Sequence, residues 1–202
     1  CILVAGLPVA FSLGTASVIL VFLFDLPMKV IATSVFGSLE SFVIIAVPLY
    51  VLMSQILLDG RIGDDLFDVM NAWVRHLPGG LAIATILACA FFSAISGSSA
   101  ATAATIGLVA YPAMMERGYD KKFTLGLLGS GGTLGILIPP SIPLIVYGSV
   151  TEESVGKLFI AGVIPGLVLT AILIAYAVYR SKKGGFAPME RVPWRDRFRI
   201  MG

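Results

Sequence analysis

The stretch AFFSAISGSSAATAATIG, Ala90–Gly107, decides how this chain is built. It lies inside a run, Leu77 to Met115, without an acidic or basic residue or a histidine. Yet its centre is Ser96-Gly97-Ser98-Ser99, three hydroxyls and a glycine that a plain membrane helix does not need. The whole uncharged run, Gly79–Met115, is too long for one span and too short for two. Cut at Ser96–Ser99 it gives arms of about 14 to 16 residues, roughly 21 to 24 Å each at 1.5 Å per residue. Neither arm comfortably crosses a hydrocarbon core of about 30 Å, so a re-entrant helical hairpin fits better. Its turn would sit at membrane depth, where irregular backbone survives only when buried in protein or lining a wet cavity. One long tilted helix is the other reading of the same run.

Composition agrees with a membrane setting. Hydrophobic residues make up 57% of the 202 and charged ones 13%, where soluble domains average about 25% charged. With a mean hydropathy of +0.96, 22 Gly and 11 Pro, the chain reads as an all-α, polytopic membrane protein. The net charge of +2 hides an asymmetry: seven of the 14 Lys and Arg fall between Arg180 and Arg199, against two acids. Beside an apolar span such a block faces cytoplasmic headgroups rather than nucleic acid. Cys1 and Cys89 have no metal-ligand spacing and sit in apolar surroundings, which argues against a disulfide or a zinc site. The chain opens in an apolar stretch without Met and reads as a piece of a longer protein.

Outward from the hairpin, Ile2–Phe24 and Phe42–Leu58 are spans, joined by an amphipathic connection over Asp25–Ser41. Apolar residues at three- and four-residue spacing predict an interfacial helix over Gly63–Val74. Beyond the hairpin, GSGGTLGILIPPSIP combines Gly129, Gly131, Gly132 and Gly135 with Pro139, Pro140 and Pro143. Proline removes a backbone donor and disfavours helix at the residue before it, so this stretch is expected to unwind and leave carbonyls unpaired. Leu158–Tyr179 is a last span, and Phe186–Ile200 a basic, partly amphipathic surface segment. The expected divisions are N-terminal spans (1–58), a cytoplasmic interfacial helix (59–78), the hairpin and broken helix (79–150), a last span (151–183) and a basic cytoplasmic segment (184–202). Placing the Arg180–Arg199 block in the cytoplasm puts Arg117, Lys121, Lys122, Arg75 and His76 there too, provided the hairpin enters and leaves on one side.

Catalysis finds no support. A nucleophilic serine at Ser98 or Ser99 needs a base within hydrogen-bond reach, and the single histidine, His76, lies a whole helical arm away. GSGGTLG lacks the Lys-Ser/Thr ending of a phosphate loop. The hairpin and broken helix carry no Asp, Glu, Lys or Arg, so they are poorly equipped to carry protons. What remains is oxygen chemistry. The hydroxyls of Ser96, Ser98, Ser99 and Thr133, with carbonyls freed by the Gly/Pro break, suit a small hard cation, of which sodium is the natural candidate. Small residues such as Ala100, Ala101, Ala103 and Ala104 read more simply as close helix packing.

The motifs AISGSSAATAATIG, GYDKKFTLGLLGSGGTLGILIPPSIPLIVYG and SVGKLFIAGVIPG, in this order, resemble the large membrane (M) subunit of TRAP transporters. These are the tripartite ATP-independent periplasmic transporters of bacteria and archaea. The similarity runs from GLPVAFSLG to RSKKGG, nearly the whole chain. It implies an elevator-type secondary transporter of the bacterial or archaeal inner membrane, built from inverted repeats that each hold a re-entrant hairpin and a broken helix. This chain matches the first repeat and the start of the linker to the second. The resemblance further implies sodium-coupled uptake of organic acids such as carboxylates or sialic acids. A soluble periplasmic binding protein would deliver the substrate and a small Q-type membrane subunit would complete the complex. Carried over by motif, the carbonyls of Ser96, Gly135, Ile138 and Pro140 would hold one Na+, with Gly97, Ser98, Ser99, Gly132 and Thr133 nearby. A non-transporting scaffold that merely docks a partner subunit is the alternative reading.

Overall fold

The computed structural model describes residues 8–40, 42–185 and 193, and among these every regular element is a helix. The chain divides into two compact units, Cys1–Ile45 and Ala46–Gly202. In the first, α1 spans Val9–Leu23 and α2 spans Lys29–Leu39. The hydroxyls of α1 are absorbed within it: Thr15 Oγ1 donates to the Phe11 carbonyl at 2.7 Å and Ser17 Oγ to that of Leu13 at 2.9 Å. This is how hydroxyl side chains are tolerated in an apolar helix. The expected first span began at Ile2, whose surroundings, like Cys1, lie outside the described residues. Asp25–Ser41, expected as a connection, is mostly helix. Asp25 makes the turn with φ 53°, Pro27 precedes the new start, and no proline interrupts Lys29–Leu39.

α3 (Phe42–Asp59) runs across the division between the units, and α4 (Ile62–Val74) follows after a bend of 68°, with Arg61 left-handed at the break. The amphipathic pattern read over Gly63–Val74 is therefore a helix within one residue of its expected bounds. Its apolar side buries Gly63, Phe67 and Ala72.

The centre of the second unit is α5 (Gly80–Ser96), paired with α6 (Ser99–Glu116). Contacts between Ser93 and Thr102 and between Thr85 and Met114 show the two running antiparallel, as a hairpin turned at Gly97-Ser98. An uncharged helix that is apolar all round belongs in the middle of a structure. Leu81 through Ile86 are all buried, and α4, α6, α7 (Lys121–Gly132), α8 (Leu134–Leu137) and α10 (Val155–Lys183) pack around α5. The shared core includes Phe67, Phe92, Ile106, Met114, Leu127 and Leu134. α9 (Ile142–Thr151) completes the order.

Two helical stretches, Lys121–Thr151 and Val155–Lys183, are each long and apolar enough to cross a bilayer, and α3 with α4 would add a third if counted as one bent span. Gly80–Ser96 is a shorter apolar helix, as a hairpin arm would be. α10 leaves Ile160, Ile164, Leu167 and Ile172 exposed, the composition of a lipid-facing surface. The expected basic segment Phe186–Ile200 falls outside the described residues apart from Pro193.

One sequence expectation is corrected. The glycines ahead of the prolines do not unwind the chain: α7 is helical through Gly132, α8 resumes at Leu134, and the break falls at Ile138–Ser141. Each glycine costs about 1 kcal/mol of helix propensity relative to alanine, and close packing is what it supplies in return. A Cβ on Gly131 would stand 2.9 Å from Cys89 Sγ, and one on Gly132 would stand 2.8 Å from Ala103 Cβ. The glycines let α7 and α8 lie against the hairpin.

Candidate functional site

Five elements, α3, α5, α6, α8 and α9, converge where the hairpin turns. α5 ends at Ser96, Gly97 takes the left-handed conformation (φ 62°), and Ser98, extended, caps α6 by accepting from the Ala101 amide at 3.3 Å. Inside the turn a single side chain organises the rest. Thr102 Oγ1 donates to the Ser98 carbonyl at 2.8 Å and lies 3.2 Å from both Ser93 Oγ and Ser96 Oγ. A hydroxyl has one hydrogen, so with Thr102's given to a carbonyl, Ser93 and Ser96 are the donors to it. All three residues are fully buried. The tip hydroxyls of Ser93 and Ser96 are thus turned inward, onto Thr102.

The Pro-Pro interruption faces this tip. In a continuous helix the Gly135 and Ile136 carbonyls would accept from residues 139 and 140, but both are proline and carry no hydrogen. Ser141 repairs one loss, its buried hydroxyl donating to the Ile136 carbonyl at 2.7 Å. Ile138 leaves the helix extended (φ −77°, ψ 121°). Among the described residues no hydrogen bond reaches the carbonyls of Ile138, Pro139 or Pro140. Unpaired carbonyls between two helix ends are the donor set a hard cation takes.

Tip and break are in direct contact. The Ile142 amide donates to the Gly97 carbonyl at 3.1 Å. A Cβ on Gly97 would stand 2.7 Å from the Pro140 oxygen, and one on Gly135 would stand 2.9 Å from Ser98 C and Ser99 N. On the other side of the break, α10 approaches through Gly162 and Gly166. A Cβ on Gly162 would lie 2.5 Å from the Leu137 oxygen, and one on Gly166 would lie 2.9 Å from Ile138 Cγ1. This small-xxx-small pair lets α10 close on the broken helix.

Of the nine residues singled out from sequence, Gly97, Ser98, Ser99, Gly135 and Pro140 meet at this contact, with Ser96 and Ile138 one residue or a few away along the chain. Gly132 packs beside Ala103 and the Ser99 carbonyl. Thr133 is exposed and donates to the Ser130 carbonyl at 2.7 Å, so its hydroxyl is committed to its own helix. Among the described residues no group of three or more His, Cys, Asp or Glu converges on a possible metal site. Any cation here would be held by neutral oxygens.

Sequence reading missed Ser54, Thr102 and Ser141. Ser54, on α3, donates to the Ser96 carbonyl at 2.9 Å while also within 2.9 Å of the Tyr50 carbonyl. A hydroxyl beside Gln55 in an otherwise apolar span was its signal. The Ser54 hydroxyl clamps the tip from outside the hairpin. Ser54→Ala is expected to destabilise by about 1 kcal/mol, the net worth of one such bond, read as a lowered Tm. An unchanged Tm would mean the clamp contributes nothing.

Residues 1–201 match the family model described as the tripartite ATP-independent periplasmic transporter, DctM component. The C4-dicarboxylate TRAP transporter large permease protein DctM of Pseudomonas aeruginosa is 44% identical over 188 residues, 92% of this chain and 44% of its own length. The isethionate TRAP transporter permease protein DctMQ of Oleidesulfovibrio alaskensis is 42% identical over 185 residues, 91% of this chain and 29% of its length. The sialic acid TRAP transporter large permease protein SiaM of Vibrio cholerae is 33% identical over 201 residues, 99% of this chain and 47% of its length. The chain thus spans less than half the length of these curated relatives, all of which are permeases.

Proposed function

Because the chain belongs to the DctM component family of the tripartite ATP-independent periplasmic transporters, we propose that it forms part of the permease of a sodium-coupled secondary transporter. The transporter imports an organic acid across the cytoplasmic (inner) membrane of a bacterium. Relatives named for C4-dicarboxylate and sialic acid support that substrate class. The family's tripartite, periplasmic designation supports a soluble periplasmic binding protein as the source of substrate, and the name DctMQ supports a small Q-type membrane subunit as partner.

One observation carries the sodium reading: the hairpin tip rests on a helix break where the Gly135 carbonyl has lost its donor to Pro139 and no hydrogen bond reaches the carbonyls of Ile138 and Pro140. The oxygens of Ser96, Gly135, Ile138 and Pro140 are the ones to hold Na+, which supplies a positive charge that hairpin and break share. The Ser96 carbonyl keeps a second lone pair beyond the one Ser54 engages. Gly97, Ser98, Ser99, Gly132 and Thr133 surround these oxygens or flank them in sequence. An ion at this place holds the tip against the break, so the two move together as one body relative to the flanking helices, in the manner of an elevator.

The test is uptake in proteoliposomes that contain the intact permease, supplied with its binding protein. Uptake is expected with an inward sodium gradient and not when choline replaces sodium. Pro139→Ala returns an amide hydrogen, which lets the helix continue through Ile138 and satisfy the Gly135 carbonyl. With a neutral amide–carbonyl bond worth about 0.5–1.5 kcal/mol net, it is expected to raise the sodium concentration for half-maximal uptake by about twofold to tenfold. Equal uptake in sodium and choline would sink the coupling, and an unchanged half-maximal concentration would sink the assignment of Gly135.

A further inference from the structure

Away from the hairpin tip, the first turn of α7 and the last turn of α10 enclose a cavity of about 520 Å³, lined by Gly118, Asp120, Phe123, Arg180 and Lys183. That volume lies within the roughly 300–1,000 Å³ that small-ligand sites occupy. A second cavity, of about 200 Å³, shares Phe123 with it and continues between the same two helices past Gly126, Leu127, Leu173 and Tyr176. The first is basic at its rim; the second is mostly apolar, with Lys122 and Ser130 also in its lining.

The basic side chains are placed rather than merely present. The Arg180 guanidinium stands 5.8 Å from the centroid of the buried Phe123 ring, a cation–π contact. Phe123 is itself fixed between Tyr119, stacked at 6.2 Å, and Tyr176 at 6.1 Å. Among the described residues neither Arg180 nor Lys183 is paired with a carboxylate. The Asp120 carboxylate at the cavity accepts from the Phe123 amide at 2.9 Å, and so caps α7. Arg180, Lys182 and Lys183 form the last turn of a 29-residue apolar helix, and Lys121 and Lys122 open the neighbouring one. Both helices therefore end at one level, where a membrane helix meets anionic headgroups.

From this we infer a binding site for one anionic phospholipid. Its phosphate lies between Arg180 and Lys183, and one acyl chain runs along the groove between Gly126 and Leu173. A free phosphate would satisfy the basic rim and leave the groove without a role. The apolar continuation selects a lipid.

Native mass spectrometry of the intact permease, given phosphatidylglycerol, phosphatidylcholine or inorganic phosphate, separates the sources. Phosphatidylglycerol is expected to be retained on the order of tenfold more strongly than phosphatidylcholine, and the Arg180→Ala/Lys183→Ala double variant to lose that advantage. Gly126→Phe is the second arm. A Cβ there meets nothing within 4 Å, so the ring enters the groove without disturbing the helix. It is expected to lower phosphatidylglycerol retention and leave inorganic phosphate unaffected. Equal retention of the two lipids overturns the inference. So does phosphate binding that depends on Arg180 and Lys183 while Gly126→Phe changes nothing, the signature of a free-anion site.

Discussion

Gly97→Ala is expected to lower stability by about 2–5 kcal/mol, because two independent penalties fall on one methyl group. The residue sits at φ 62°, and the left-handed conformation costs a residue with a Cβ about 1–2 kcal/mol. The new carbon would also stand 2.7 Å from the Pro140 oxygen. That neighbour is backbone, already fixed by its own ring and by the Ile142–Gly97 hydrogen bond, so it cannot swing aside as a flexible side chain would. Overpacking of this kind adds about 1–3 kcal/mol. Gly135→Ala is a related case with an opposing term. It gains about 1 kcal/mol of helix propensity but drives a methyl into Ser98 and Ser99 at 2.9 Å, so a smaller loss is expected. Gly129→Ala, where a Cβ meets nothing within 4 Å, should be neutral or stabilising. Thermal unfolding of the three purified variants reads the order directly. A Gly97→Ala protein that melts with the wild type would show that the tip does not bear on the break.

The same glycines show where sequence reading reaches its limit. The hairpin was legible because its signals are local. An uncharged run of awkward length and a Gly-Ser cluster at its middle place the turn at Gly97-Ser98. The break was legible to within a few residues because proline acts on its own neighbours: Pro139 and Pro140 remove two donors wherever the helix happens to pack. Glycine has two opposite uses, to loosen a helix or to let another backbone approach, and nearby sequence does not distinguish them. What decides between them for Gly131, Gly132 and Gly135 is the presence of Cys89, Ala103 and Ser98-Ser99. Those partners are about 30 to 40 residues away in the chain and adjacent only once the hairpin has folded. The Ser54 clamp is of the same kind, a bond across 42 residues between a hydroxyl and a backbone carbonyl. α2 was missed for another reason. Eleven residues with a modest apolar pattern fall below the length at which periodicity separates a short helix from a connection.

Thr102→Val carries the second large effect, and it probes the interior of the tip rather than its outer contact. The two side chains have nearly the same shape, so no cavity opens and no clash forms. What changes is hydrogen bonding. Thr102 Oγ1 now gives its hydrogen to the Ser98 carbonyl and takes those of Ser93 and Ser96. With valine, two buried hydroxyls lose their acceptor at once. An unsatisfied buried group costs about 1–3 kcal/mol, but the interhelical bond between Ser93 and Thr102 averages nearer 0.6 kcal/mol in membrane proteins. Each serine can also fall back on the carbonyl four residues before it. A net loss of about 1–3 kcal/mol is therefore expected, with Thr102→Ser, which keeps the hydroxyl, close to wild type. The decisive measurement is a cycle with Ser93→Ala and Ser96→Ala. Once those hydroxyls are gone, valine at 102 strands nothing, and the triple variant should be more stable than the sum of the three single losses. Additive losses would mean that the three hydroxyls act separately, and that the tip is held by the Gly97 turn and the Ser98 cap alone.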